Sequence, residues 1–167
     1  TSKDPAISAI IENEQTIDGG VISVAKIIGK FVKKVNLYTY GKKDILNNYL
    51  KNEKNIRVIN MSPKNEIQVK SRYINSNRFE KLLQVTNIKK NFFSDLEIKN
   101  AIKLIKNIKN NVVICDFGNN FFSSKILNLI NKIKIKKYIN IQTNSLNQGY
   151  NLFTKFKNAE YLSLDDK

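Results

Sequence analysis

Two features of this sequence combine residue types and spacing that could bind a ligand. Asp116 follows the apolar run at residues 112–115 and precedes an aromatic residue and a glycine, as at the carboxyl end of a parallel strand, where α/β proteins bind ligands. Gly19 and Gly20 stand before an amphipathic segment and offer backbone amides with room for close approach. Each feature has a structural alternative, because Asp116 could cap its own loop and the glycines could form a tight turn.

Cationic and amide side chains supply two more candidate contacts. Lys70 and Arg72 fall in a segment with strand patterning, where they could hold an anionic substituent or simply occupy a solvated strand face. Asn144 belongs to the polar stretch 142–151, whose side-chain amides suit the hydroxyls of a sugar. Asparagine is abundant throughout the chain, so this stretch is weaker evidence than Asp116.

The composition excludes several kinds of chemistry. The chain contains no histidine and one cysteine, so Ser-His-Asp, Cys-His and histidine-zinc sites cannot be built from it. Cys115 cannot form an internal disulfide, and its place in an apolar strand predicts an inert thiol. Any chemistry must therefore use carboxylates, lysines or backbone amides.

Charge and hydropathy bear on partners. The net charge of +15 would suit nucleic acid, which basic surfaces attract without specificity. The lysines are spread, however, and we interpret two groups of them as the solvated faces of amphipathic helices, namely those at 99, 103, 106 and 109 and those at 132, 134, 136 and 137. Nucleic-acid binding is therefore disfavoured. Because no apolar run approaches the roughly 20 residues of a membrane span, we expect a cytoplasmic protein without membrane contact.

Alternating periodicities predict a single α/β domain with a mostly parallel sheet covered by helices on both faces. A β-hairpin at 66–87, turning at 75–77, is an added β element. Ser94 and Ser123 are expected to begin helices. The other predicted elements are a helix that follows Gly19-Gly20 and ends near Lys33, a strand at 35–40, a short helix at 45–50, and strands at 56–60, 112–115, 138–143 and 159–164.

The order of these segments resembles the PfkB, or ribokinase-like, family of carbohydrate kinases. The run 19–25 resembles that family's double-glycine sugar-binding motif, and the run 115–118 its aspartate-aromatic-glycine strand end. The hairpin resembles the family's lid. The runs 141–151 and 154–156, followed by Ala159-Glu160-Tyr161, resemble a branch related to heptose-phosphate kinases and linked to nucleotidyltransferases.

This resemblance implies a ribokinase-like fold and, in the full-length protein, ATP- and Mg²⁺-dependent phosphoryl transfer to a hydroxyl of a sugar or sugar phosphate. It further implies roles in surface-polysaccharide or sugar-nucleotide biosynthesis and an associated nucleotidyltransferase domain. The substrate-binding residues implied are Gly19, Gly20, Ser23, Lys70, Arg72, Asp116 and Asn144.

Departures from the family pattern limit what the resemblance implies. Ser23 stands where the family often has asparagine, and Asn119-Asn120 where the branch tends to have histidine or lysine and then glycine. The family's anion hole and catalytic aspartate lie well beyond the strand that ends at Asp116, and no such motif precedes Lys167; its first strand is also expected ahead of Thr1. We therefore expect a truncated domain without useful turnover and assign no catalytic residue.

Two alternatives remain open. The chain could be a non-catalytic module that binds sugar phosphates or pairs as a homodimer through the exposed edge of the hairpin. Nucleic-acid binding through the basic surface ranks last, and it predicts affinity that falls steeply with salt and is indifferent to sugars.

Overall fold

The computed structural model of the chain describes residues 10–64, 66–87, 93–119, 121–143 and 150–164. These residues form a mixed α/β fold with four α-helices and seven strands. In chain order the elements are α1 (Gly20–Gly29), β1 (Val35–Thr39), α2 (Lys43–Leu50), β2 (Ile56–Asn60), β3 (Val69–Asn75), β4 (Glu80–Asn87), α3 (Asp95–Lys106), β5 (Val112–Asp116), α4 (Ser124–Lys132), β6 (Lys137–Ile141), the 3-10 helix Phe153–Lys155 and β7 (Tyr161–Leu164).

The described strands are arranged in three small sheets rather than one. β1 pairs in parallel with β2, and β5, β6 and β7 form a second parallel sheet in that order. β3 and β4 form the expected antiparallel hairpin. The α/β class and the parallel strand pairs are confirmed. The expectation of one mostly parallel sheet is met only in part, because no hydrogen-bonded ladder joins β1–β2 to β5–β6–β7 among the described strands.

Helix starts follow the local signals in the sequence. Ser94 and Glu97 form a reciprocal capping box at the start of α3, in which the Ser94 hydroxyl accepts from the Glu97 amide and the Glu97 carboxylate accepts from the Ser94 amide. Ser123 caps α4 by accepting from the Ile126 amide. Both predicted caps are confirmed.

The first helix is shorter than its periodicity predicted. It ends at Gly29, whose carbonyl accepts a hydrogen bond of 2.7 Å from the Asn55 side chain, while the Val32 carbonyl accepts from the same amide at 3.2 Å. The Asn55 amide thus satisfies carbonyls that a longer helix would have bonded internally. It also joins the end of α1 to the segment before β2.

Two apolar cores hold the helices against the strands. The larger lies between α3, α4 and the β5–β6–β7 sheet and centres on Ala101, Ile126 and Ile139, all essentially inaccessible to solvent. The smaller joins α1 and α2 to β1 and β2 around Leu37 and Leu46. Burial of these side chains supplies the main favourable free energy of folding.

Lys137 corrects the interpretation of the second lysine group. It was expected on a solvated helix face with lysines 132, 134 and 136, but it begins β6 and is only 1% exposed. Its ammonium donates to the carbonyls of Ile130 and Ile133 at 3.1 and 3.2 Å, which are otherwise unpaired at the end of α4. Helical spacing failed here because α4 ends at Lys132.

The hairpin is amphipathic across its two faces. Its register places Val69, Tyr73, Leu83 and Val85 on one face, and these side chains are between 42% and 57% exposed. The opposite face carries Lys70, Arg72, Gln84 and Thr86. Among the described elements, β3 and β4 make extensive contact only with each other.

Candidate functional site

Asp116 lies where the carboxyl ends of two parallel strands meet. It is the last residue of β5 and pairs with Ile141, the last residue of β6. Its backbone carbonyl accepts from the Gln142 amide at 3.0 Å. Its side chain is 4% exposed, and Oδ1 accepts a hydrogen bond of 2.9 Å from the Gly118 amide. The predicted position at a strand end is therefore confirmed, and the carboxylate also caps its own loop.

Lys155 provides the charge that balances this carboxylate. Its Nζ lies 2.5 Å from Asp116 Oδ2. Oδ2 is shielded from solvent and lacks a hydrogen bond of good geometry, so the contact is primarily an ion pair. A carboxylate buried to this degree would be costly without a counter-charge. Lys155 ends the 3-10 helix, which thereby brings it to the end of β5.

Asn151 connects the two strand ends to Lys155. Its side-chain amide donates to the carbonyls of Asp116 and Gln142 at 3.3 and 3.1 Å. Its Oδ1 accepts from Lys155 Nζ at 2.5 Å. Asn151 is 5% exposed, so these bonds occur away from water, where they strengthen and orient one another. We call Asp116, Asn151 and Lys155 the carboxyl-end triad.

The glycine pair contacts the residue that follows Asp116. Gly20 is the first residue of α1, and a Cβ on it would overlap the ring of Phe117, which directly follows Asp116. Gly19 is the N-cap, and its carbonyl accepts from the amides of Ile22 and Ser23 at 3.0 Å each. The structure thus brings the two predicted motifs together at one edge of the fold.

Ser23 takes part in a local bond at the start of α1. Its hydroxyl donates to the backbone carbonyl of Asp18 at 3.3 Å. The Asp18 carboxylate, in turn, pairs with Lys26 Nζ at 2.5 Å. Ser23 therefore helps to fix the segment that leads into the glycine pair, and its role toward a ligand stays a prediction.

Aromatic rings line the same edge of the fold. Tyr40, which follows β1, stacks on Phe121 with ring centroids 6.0 Å apart. Phe121 contacts Phe122 edge-on, and Phe122 contacts Phe156 in the same way at 5.4 Å. Phe156 also lies 5.6 Å from the Lys155 ammonium. This row of rings forms an apolar border next to the triad and joins the β1 end to the β5 end.

The remaining predicted residues lie apart from the triad or outside the described residues. Lys70 and Arg72 are exposed on the polar face of the hairpin, where Arg72 Nε donates to Gln84 Oε1 at 3.2 Å. No described contact brings either of them to Asp116. Asn144 lies outside the described residues.

Sequence reasoning singled out Asp116 but missed the roles of Asn151 and Lys155. Asn151 belonged to the polar stretch 142–151 and Lys155 to the family-like run 154–156, but nothing in either pattern paired them with Asp116. Their spacing is that of an amide followed four positions later by a lysine. In a chain with 29 Lys and Arg residues that signal is too common to select one pair. The contact depends on the parallel pairing of β5 and β6, which the sequence pattern does not specify.

Other groups near the triad are less suited to chemistry. Burial raises the pKa of the Cys115 thiol to about 11, so its nucleophilic thiolate is scarce at neutral pH. Within the described residues, no group of three or more His, Cys, Asp or Glu side chains could hold a metal ion. The magnesium dependence that the family resemblance implies stays a prediction.

An open cavity of about 440 Å³ lies along α3. Its described lining, which includes Asn60, Glu97 and Lys103, shares no residue with the triad.

None of the described helices is long and apolar enough to cross a membrane.

Comparison of the chain with protein-family models, with curated proteins and with solved structures finds no match.

Proposed function

We propose that this chain is the substrate-binding portion of a PfkB-type sugar kinase with a ribokinase-like fold, which in its complete form transfers phosphate from ATP to a hydroxyl of a sugar or sugar phosphate. One observation supports this proposal most directly. The Gly19-Gly20 pair and the strand end at Asp116, which lie far apart in the sequence, meet through the contact of Gly20 with Phe117.

The chemistry of this edge suits a polyhydroxylated ligand. The first turn of α1 has no side-chain cap, and because the amides of Ile22 and Ser23 donate to the Gly19 carbonyl, the amides of Gly20 and Val21 are its candidate donors to a ligand. The triad adds a lysine ammonium and a buried carboxylate, and the aromatic row adds an apolar border. Convergent polar groups beside an aromatic wall are typical of small-ligand sites.

The contribution of this chain to such a kinase is orientation. Holding a sugar hydroxyl in a reactive geometry can lower the activation barrier by several kcal/mol. The upper range, on the order of 7–11 kcal/mol, is reached by ideal positioning. On this proposal the chain binds and orients its substrate, and no catalytic residue is assigned to it.

Thermal unfolding with a panel of sugars and their phosphates tests the proposal. A ligand that binds only the folded state at about 100 times its Kd adds about 2.7 kcal/mol of stability, and for a domain of this size that raises Tm by several degrees. The rise should be lost in Gly20→Val, and Arg72→Ala tests the predicted role of the hairpin. A folded wild-type chain that no sugar or sugar phosphate stabilises would contradict the proposal.

A second candidate function is supported by the hairpin. Its apolar face, formed by Val69, Tyr73, Leu83 and Val85, is about half exposed, whereas an isolated two-stranded sheet is only marginally stable in water. A non-catalytic module that dimerises through this face would cover it. The two candidates differ in their readout, since dimerisation depends on protein concentration and not on sugar.

A further inference from the structure

The carboxyl-end triad is asymmetric in its access to solvent. The side chain of Asp116 is 4% exposed, whereas that of Lys155 is 27% exposed. Both oxygens of Asp116 have described partners, the Gly118 amide for Oδ1 and the Lys155 ammonium for Oδ2. Lys155 is therefore the member of this ion pair that is more accessible to a ligand.

The ammonium of Lys155 retains capacity for a ligand. A lysine ammonium has three N–H donors and no acceptor. Its polar partners among the described residues are Asp116 Oδ2 and Asn151 Oδ1, each at 2.5 Å. Within the described part of the chain these two partners account for at most two of the three donors.

The position of Lys155 is fixed from three sides. Asp116 holds the ammonium by charge, and Asn151 accepts a hydrogen bond from it. The ring of Phe156, which is 8% exposed, lies below it at 5.6 Å. A mobile lysine side chain loses considerable rotamer entropy when it binds a ligand. The Lys155 side chain has already lost that entropy on folding, so ligand binding costs less.

We propose that Lys155 is a direct ligand contact, whose free N–H donates to an oxygen of the bound sugar or sugar phosphate, and that Asp116 and Asn151 are positioning residues. This inference rests on the proposed function, and it changes the predicted role of Asp116 from direct contact to support. The ligand group is an acceptor oxygen, either a hydroxyl or a phosphoryl oxygen. Asp116 offsets part of the lysine charge, so a neutral hydroxyl is as suitable a partner as an anionic oxygen.

The inference also changes which cation serves the site. Lys70 and Arg72 are predicted anion clamps, but they lie on the exposed face of the hairpin. Lys155 is held at the end of β5 by Asp116, the residue before the ring that contacts Gly20. A preorganised cation contributes more to affinity than a mobile one, because less entropy is lost on binding.

Three variants of the triad and one control separate ligand contact from structural support. Lys155→Met alone leaves Asp116 buried without its counter-charge and should unfold readily. The double variant Asp116→Asn with Lys155→Met removes both charges and should restore folding. Asp116→Asn alone keeps the ammonium. Lys157→Met is the matched control, since Lys157 is exposed and two positions away.

The readout is the Kd of each folded variant, measured by titration calorimetry with the sugar that stabilises the wild-type chain best and, separately, with its phosphate. We expect the double variant to bind about tenfold more weakly or worse, the loss typical of one charge-assisted hydrogen bond. Asp116→Asn should bind more tightly than the double variant, and Lys157→Met should match the wild type. Loss confined to the phosphorylated ligand identifies a phosphoryl contact, and equal loss for both ligands identifies a hydroxyl contact.

The outcomes separate this inference from the proposed function. A wild-type chain that binds while the double variant binds equally well overturns the role of Lys155 alone. Loss in Asp116→Asn as large as in the double variant makes Asp116 the contact and also overturns the assignment. A wild-type chain that binds no sugar or sugar phosphate overturns the proposed function and this inference together.

Discussion

The ring of Phe117 lies against the Cα of Gly20, so the first turn of α1 and the segment after β5 share one contact. A Cβ at position 20 would lie 2.9 Å from both Cε atoms of that ring and closer still to Cζ. Any other residue at this position must displace the ring or the helix, because close-packed atoms cannot overlap. A side chain at position 20 is thus disfavoured by tertiary packing unless the Phe117 ring shifts.

The first prediction tests this contact with a double-mutant cycle. Gly20→Ala should lower the free energy of unfolding by about 1–3 kcal/mol, the usual cost of overpacking, as measured by urea denaturation. In a Phe117→Leu background the same change should cost much less, because the aromatic ring is gone.

The control for this cycle is the neighbouring glycine. No atom lies within 4 Å of a Cβ placed on Gly19, so Gly19→Ala should cost less than about 1 kcal/mol, the loss of a moderate N-cap. If Gly20→Ala costs the same with and without the Phe117 ring, the contact does not constrain position 20.

The second prediction concerns Asn151, whose buried amide donates to the carbonyls of Asp116 and Gln142. Asn151→Asp replaces that donor with a carboxylate facing two carbonyl oxygens. We expect a loss of about 1–3 kcal/mol at neutral pH, because the donor shared by the two carbonyls is lost and the new charge faces their oxygens, although Lys155 remains next to it.

The matched control is Asn36→Asp in β1, since Asn36 is exposed and surface changes usually alter stability by less than about 0.5 kcal/mol. Denaturation with urea compares the two variants. Similar losses at positions 36 and 151 would contradict the bridging role of Asn151.

The third prediction is a pH dependence from the capping box of α3. Hydrogen bonds from the Ser62 hydroxyl and then from the Ser94 amide lower the pKa of Glu97 below its usual value of 4.5. Because the pKa of Glu97 is lower in the folded state than in the unfolded state, the ionised carboxylate stabilises the fold fully at a pH above its unfolded-state pKa. This stabilisation is lost as the pH falls through its folded-state pKa.

Glu97→Gln should remove this part of the acid sensitivity. We expect the variant to be less stable than the wild type at pH 7, by about 1 kcal/mol as for other lost caps, and the difference should shrink as pH falls below 4.5. Thermal unfolding from pH 7 downward measures it. Asp95→Asn is a suitable control, because Asp95 is highly exposed and pairs only loosely with Lys125 at 3.4 Å. A difference that stays constant with pH would count against the carboxylate as the titrating group.

Local signals in the sequence accounted for much of the fold. Ser94 and Ser123 were recognisable as caps because a hydroxyl before an amphipathic run satisfies free amides at a helix start. Asp116 was recognisable because a continuous apolar strand ended in a carboxylate. These features depend on neighbours within a few positions, which a single sequence displays.

Features that depend on distant partners were not predicted. In the sequence, Lys137 is indistinguishable from a surface lysine. Its ammonium reaches the Ile130 and Ile133 carbonyls only because β6 begins close to the end of α4. Lys155 likewise pairs with Asp116 only because the 3-10 helix folds back onto the end of β5. Periodicity specifies which face of an element is apolar, but it does not specify which elements meet.

The fourth prediction follows from the burial of Lys137. Desolvation lowers the pKa of its ammonium from 10.5, so the unfolded state binds more protons at alkaline pH and wild-type stability gains from this group as pH rises. Lys137→Met removes the titrating group together with its two hydrogen bonds.

We expect Lys137→Met to be near neutral in stability at pH 7, because the lost hydrogen bonds are offset by the removed desolvation cost. Its stability relative to the wild type should then decline as pH rises toward 10. Lys136→Met is the control, since Lys136 is exposed and pairs only at the surface with Glu160. Parallel pH profiles for the wild type and Lys137→Met would contradict a lowered pKa at position 137.

The fifth prediction separates sugar binding from assembly through the hairpin. If the apolar hairpin face pairs two copies, Leu83→Gln should weaken association by about tenfold or more, since it removes a buried Leu worth about 1.5–3 kcal/mol. Thr86→Gln, on the opposite face, should leave association unchanged. Sedimentation velocity across a range of concentrations measures the association of both variants.

Neither change should alter a sugar-induced rise in Tm, because the described contacts of the triad include no hairpin residue. A wild-type chain that stays monomeric at every concentration contradicts the dimer and leaves the substrate-binding proposal to be judged by its own ligand test.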